Sequence, residues 1–212
     1  MNADRIAAVY RWIEYAAFGR ALEARRFATL DEAAGARSAL ILGEGDGRFV
    51  AELVRRQPAI RVDVVEASAR MIALARQRVS ESARERVRFV CQDALTEPLP
   101  QPGGYDLVVT NFFLDCFESR EAAAVIAKCA AALEPGGRWL VGEFREPSRG
   151  VARLHARAWL AVMYLFFRWT TGLRPRRLPP WEDLLRSAGL VLVREQRARF
   201  GLLVSQVWAK PV

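Results

Sequence analysis

Between residues 38 and 144 the chain alternates short runs dominated by apolar residues with longer segments of helical pattern. The runs are Ser38–Leu42, Arg61–Glu66, Val87–Cys91, Tyr105–Thr110 and Arg138–Phe144, and they are rich in valine and leucine. A run as short as Ser38–Leu42, apolar at successive rather than alternate positions, suits a strand covered on both faces. Helical segments are expected between them at about Gly47–Gln57, Ser68–Ser82 and Ser119–Leu133. Ser68 is a good N-cap, and Pro135-Gly136-Gly137 turns the third helix into the fifth strand. Strands and helices in this alternation specify an α/β fold, a doubly wound and mostly parallel sheet with helices on both faces. Beyond it, Trp181–Ala188 reads as a helix. Leu190–Arg194 and Leu202–Trp208 read as an antiparallel hairpin joined at Phe200-Gly201, which brings the sheet to seven strands. At the other end, residues 4–34 read as helical, interrupted at Gly19 and ended by Gly35.

A chain of 212 residues that is 52% hydrophobic suits one domain. We expect a helical cap at 1–36, a core at 37–144, a helical lid insertion at 145–180, and a terminal helix and hairpin at 181–212. The three cysteines, Cys91, Cys116 and Cys129, are odd in number and lack paired spacing. Neither a disulfide framework nor a metal site is expected, and a reducing, cytoplasmic setting fits. Residues 1–5 lack a basic region followed by an apolar run, so a signal peptide is not expected there. The longest apolar run, Ala158–Phe167, falls short of the roughly 20 residues that a membrane span needs. The net charge of +8 reads as arginines scattered over solvated faces in preference to a polyanion footprint.

The segment that carries chemistry is Leu42-Gly43-Glu44-Gly45-Asp46-Gly47-Arg48, placed between the first strand and its helix. Glycines at a tight strand-to-helix turn admit a ligand close to the backbone. A dinucleotide fingerprint sets its third glycine three residues after the second; here Gly47 follows Gly45 by two. About 20 residues on, Glu66 ends the second strand, where a carboxylate can accept both hydroxyls of a ribose. Each feature has a plainer reading, as a turn glycine or a helix cap, and the weight lies in their joint order.

That order resembles the class I S-adenosylmethionine (SAM)-dependent methyltransferases, above all the small-molecule branch related to the ubiquinone and menaquinone enzymes. The resemblance runs through the turn at Gly43, Glu44, Gly45 and Gly47, then Glu66 and Ala67-Ser68-Ala69-Arg70-Met71. It continues in Gln92-Asp93-Ala94, Tyr105–Thr110 and Leu133-Glu134-Pro135-Gly136-Gly137. It implies SAM as methyl donor and S-adenosylhomocysteine as product. It also implies that Glu66 holds the ribose, that Ala67 and Met71 flank the adenine, and that Asp93 beside Ala94 accepts the adenine amine. One departure stands out: the family places an acid two residues before the first glycine, and this chain has Ile41. Glu44, Asp46 or an ordered water is then left to meet the methionine end.

Methyl transfer from a sulfonium needs positioning and exclusion of water, with a base only for a protonated nucleophile. Groups beside the methyl are expected just after the fourth strand, in Asn111-Phe112-Phe113-Leu114-Asp115-Cys116-Phe117. Asn111 is placed at the cofactor, Phe112 and Phe113 at the pocket wall. Asp115 is the candidate polar catalytic group, with helix capping as the equal alternative. The prolines of the amine-methylating Asn-Pro-Pro-Tyr type are missing, which disfavours nucleic-acid bases as acceptors. His155, the only histidine, is a second base candidate. Trp159 and Tyr164 on the insertion helix, with Tyr10 in the N-terminal helices, are expected to line an apolar acceptor pocket. The acceptor is therefore a small, apolar or aromatic molecule, with no obligate nucleic-acid partner and with membrane-surface contact as a secondary expectation. The competing readings are an RNA or DNA methyltransferase and a SAM-binding homologue without turnover.

Overall fold

The computed structural model describes residues 19–101, 103–147, 149–171, 175 and 177–212. Seven strands form one sheet: β1 Ser38–Leu42, β2 Arg61–Glu66, β3 Val87–Cys91, β4 Tyr105–Asn111, β5 Leu133–Phe144, β6 Val191–Ala198 and β7 Leu203–Ala209. Their order is β3-β2-β1-β4-β5-β7-β6. The first five pair in parallel, and β7 runs antiparallel to both β5 and β6. The helices are α1 Ala21–Phe27, α2 Arg48–Arg56, α3 Ala69–Arg78, α4 Ser119–Ala132, α5 Gly150–Thr171 and α6 Trp181–Ser187.

The run at β1 is continuously apolar because both sheet faces are covered there. Along β1, Leu40 and Leu42 join Val108, Ile126, Trp139 and Trp181 on one face. Ala39 and Ile41 join Phe49, Val50, Leu53 and Val109 on the other. Helices α4 and α6 thus close one side and α2 the other. Ser68 caps α3 as its sequence position predicts, its hydroxyl accepting the Met71 N–H at 3.1 Å. At α4 the residue before the helix does the capping: Glu118 and Glu121 exchange backbone hydrogen bonds in a capping box.

Two elements differ from the sequence reading. The stretch expected to be helical through Ala34 breaks after Phe27, and Leu30–Ala33 continues as a single 3₁₀ turn. The break lets Thr29 and Leu30 sink into the core. β5 also starts earlier than the Pro135-Gly136-Gly137 turn suggests. Leu133 already pairs with Tyr105, and the register shifts before Arg138 meets Leu107.

The insertion helix α5 is 22 residues long. Ala156, Leu160, Met163 and Tyr164, spaced for one helical face, pack with Leu22, Phe144, Leu202 and Leu203. Only that face turns inward. Within the sheet, the fully buried Trp139 indole donates to Thr110 Oγ1 at 3.0 Å. Thr110→Val keeps the shape and strands that N–H, so it is expected to cost about 2 kcal/mol. Equilibrium urea unfolding, with an unchanged denaturant slope, measures the loss.

Candidate functional site

The strand order reverses beside β1, which feeds β2 on one flank while β4 and β5 lie on the other. In open α/β sheets the crevice beyond the carboxyl ends at such a reversal is where ligands bind. Here the crevice is a cleft of about 110 Å³. Gly43 and Gly45 from the turn, Glu66, Ala67 and Met71 after β2, Asp93 and Ala94 after β3, and Phe112 and Phe113 after β4 all face it.

The turn works through backbone conformation. Gly43, Gly45 and Gly47 have φ of 65°, 69° and 87°, a region costly for any residue with a Cβ. Their surroundings differ. Gly45 has open space where a Cβ would point, Gly43 lies under the Phe113 ring, and a Cβ on Gly47 would overlap the backbone of Ala75 in α3. Gly47 therefore serves helix packing and does not line the cleft. The two oxygens of Glu66 are divided between loops: one accepts the Gly45 N–H at 3.2 Å, the other the Ser68 N–H at 3.0 Å. The carboxylate that ends β2 thus touches the glycine turn directly. Asp93 stands exposed at the opposite rim and accepts the Leu95 N–H at 2.8 Å.

Glu44 is not where the sequence reading put it. Its carboxylate turns away from the cleft and accepts the Phe49 and Val50 N–H groups of α2 at 2.9 and 3.0 Å. A glutamate three residues ahead of the N-cap Gly47 can satisfy those orphan donors. Burial pushes its carboxyl up to about 7, against the pull of those amides and of Arg26. Asp46 is likewise engaged, between Arg48 at 2.9 Å and Arg78 at 3.0 Å. Ile41 belongs to the core beneath α2. Asn111 ends β4 with its side-chain oxygen against Gly142, where a larger residue would collide with it. Its Nδ2 is buried without a partner among the described residues, and Asn111 stands outside the cleft wall.

Beyond β4 the chain makes a strained turn. Phe112 has φ 54°, rare for a bulky residue and common at functional sites. It is held from below by Glu143 of β5. One Glu143 oxygen accepts the Phe113 N–H at 2.8 Å and the Leu114 N–H at 2.6 Å. Asp115 follows, buried, with its carboxyl near Cys116 Sγ at 3.6 Å and its carbonyl accepting the Tyr164 hydroxyl at 3.3 Å. Burial raises the Asp115 carboxyl to about 6. Burial first, and then repulsion from Asp115, hold Glu143 well above the usual carboxylate range.

Asp115 and Tyr164 meet behind the cleft, neither of them among the residues that line it, and the remaining lid candidates turn outward. His155 neighbours the buried Ala156 but lies on the solvent side of α5. That placement removes the reason for a general-base role. Trp159 is 36% exposed and does not border the cleft. Tyr10 lies outside the described residues. Glu143 was missed because, read alone, it is one more strand-end residue. Its position becomes informative only when Asn111 pairs with Gly142 across β4 and β5. A charged residue inside the apolar run Arg138–Phe144 was the available signal.

Residues 39–137 match a family model described as a methyltransferase domain. The 3-hydroxy-5-methyl-1-naphthoate 3-O-methyltransferase of Streptomyces sahachiroi is 27% identical over 83% of this chain and 49% of its own length. Aclacinomycin 10-hydroxylase RdmB of Streptomyces purpurascens is 30% identical over 76% of this chain and 41% of its own. Among solved structures, an O-methyltransferase family protein from Burkholderia thailandensis superposes with a TM-score of 0.69 at 23% identity, covering 96% of this chain and 64% of that one. The chain thus spans half or less of the length of these curated relatives. It has the class I methyltransferase fold, and residues 39–137 are similar to a methyltransferase domain.

The buried carboxyls have a consequence for stability. Glu44, Asp115 and Glu143 all hold their protons more tightly in the fold than in the open chain. Raised acids stabilise the fold fully below the unfolded pKa and lose that contribution as pH rises through the folded value. Stability is therefore expected to fall between about pH 4.5 and 7, with Glu44 alone accounting for about 3 kcal/mol. Urea midpoints across that range measure the decline, and Glu44→Gln, which keeps an acceptor for the two amides, is expected to flatten it.

Proposed function

We propose that the protein transfers the methyl group of SAM to a small apolar or aromatic acceptor. The observation that carries this reading is the contact between the Gly45 amide and the Glu66 carboxylate. It sets an open glycine face beside an acid at the end of β2. The residues fit an adenosyl ligand. Gly45 leaves room where a side chain would stand, Glu66 offers two oxygens, and Ala67, Met71, Asp93 and Ala94 shape the adenine end of the cleft. When bound, the sulfonium supplies an activated methyl group.

The remaining work falls to this chain's own groups. Glu66 would exchange its two amide donors for ribose hydroxyls. Phe112 and Phe113 exclude water from the methyl side, with Phe113 shifting off Gly43 to admit the methionine end. Asp115 is the proton acceptor of choice. A carboxyl raised to about 6 is mostly ionised at neutral pH and holds a proton better than an exposed aspartate. Glu143 positions it by holding the turn at Phe113 and Leu114. The acceptor class is supported by the naphthoate O-methyltransferase relative and by the apolar lid face around Tyr164.

A reading without methyl transfer has one observation in its favour, the relative named as a hydroxylase. Calorimetry and single-turnover assays with radiolabelled SAM separate the two. Glu66→Ala is expected to weaken SAM and S-adenosylhomocysteine binding about tenfold or more, through the lost charge-assisted hydrogen bonds. Asp115→Asn is expected to lower kcat about a hundredfold on a phenolic acceptor while leaving product affinity in place. Full binding with no transfer to any of a panel of phenols and naphthols would favour the other reading.

A further inference from the structure

The sequence reading treated the arginines as scattered, yet their distribution against acidic residues is uneven. From Pro147 to Trp181 there are seven arginines and no aspartate or glutamate. That segment alone holds nearly all of the chain's net charge of +8. Most of it is helix α5, whose inward face is filled by Ala156, Leu160, Met163 and Tyr164. Its outward face is apolar as well. Val151, Leu154, Val162, Leu165 and Trp169 are 82%, 69%, 62%, 68% and 90% exposed. Their spacing makes one continuous stripe along the helix. Scattered surface apolar residues are ordinary, but a contiguous stripe of this length calls for a covering surface.

The arginines around the stripe specify what covers it. Arg153 and Arg157 share the single carboxylate of Glu146, at 2.7 and 4.0 Å. Arg168 lies beside Trp169 on the exposed side. Next to Pro147, the β6–β7 hairpin tip holds Phe200 84% exposed at φ 56°, adding an aromatic to the same edge of the molecule. A helix with a basic polar side and a Leu, Val and Trp stripe matches the interface of an anionic bilayer in both charge and hydrophobicity. A nucleic acid would meet the charge and leave the stripe in water. Among the described residues no helix is long and apolar enough to cross a membrane, so the match is to lying on the surface.

We propose that α5 docks the protein on anionic lipid surfaces through the Val151–Trp169 stripe, with Arg153, Arg157 and Arg168 engaging the head groups. The inference stands apart from the assignment of methyl transfer. It is tested by co-sedimentation of the full chain with phosphatidylcholine vesicles, with and without phosphatidylglycerol, at low and at moderate salt. Binding is expected only with phosphatidylglycerol and is expected to weaken with salt. The double variant L165S/W169S, at exposed positions, is expected to bind about tenfold more weakly with an unchanged circular dichroism spectrum. R157Q/R168Q is expected to weaken binding and reduce its salt dependence. Equal binding to both vesicle types, or full binding by L165S/W169S, would overturn the proposal. So would sedimentation equilibrium showing a dimer that L165S/W169S dissociates, because the stripe would then be covered by a second copy. Short RNA that binds equally well to L165S/W169S, with no vesicle binding, would assign the charge to a polyanion instead.

Discussion

The site hangs on one carboxylate shared between two loops. Glu66 accepts an N–H from Gly45 on the first strand's turn and another from Ser68 at the start of α3. Neither loop belongs to the other's element, so the contact fixes the width of the crevice between them. The three left-handed glycines make it possible. A Cβ on Gly43 would strike Phe113, one on Gly47 would strike α3, and one on Gly45 would project into open space at the cleft. Charge-assisted acceptance of two amides also keeps the carboxylate at the cleft wall.

The other wall is built on the same principle from the opposite flank. Glu143, fully buried in β5, accepts two successive amides of the turn after β4. Those bonds hold Phe112 in its left-handed conformation and set Asp115 under the lid, within reach of the Tyr164 hydroxyl. Burying two acids in one region is costly, and their mutual repulsion adds to the cost. The fold tolerates it because amides satisfy Glu143, while Cys116 donates to Asp115. This is the arrangement expected where function, and not stability, selects the residues.

Much of the fold was legible in the chain because both faces of the sheet are covered. Runs such as Ser38–Leu42 carry no alternation to misread, and glycines mark their ends. The cleft residues Gly43, Gly45, Glu66, Asp93 and Phe113 were legible for a related reason, since each follows directly from the end of a parallel strand. What depends on packing between distant elements was not. Glu44 was read toward a ligand because it sits in the glycine turn, yet the nearest unpaired donors belong to α2. Gly47 was read with its neighbours, although its constraint comes from Ala75. His155 attracted notice by being single, and the helical phase set by Ala156, Leu160 and Tyr164 turns it to solvent. The bias of arginine over acid in 147–181 was countable in the sequence. It became meaningful only once α5 was seen to carry a second, outward apolar face.

The central claim is that the Gly45–Glu66 contact marks an adenosyl site. It is tested most directly by titrating S-adenosylhomocysteine into ¹⁵N-labelled protein and following the backbone amides of the cleft. The account predicts saturable shifts at Gly45 and Ser68, whose amides bond the Glu66 carboxylate, and at Gly43 and Ala94, which line the cleft, with none from NADH. Silent amides at those positions, or equal shifts with NADH, would contradict it.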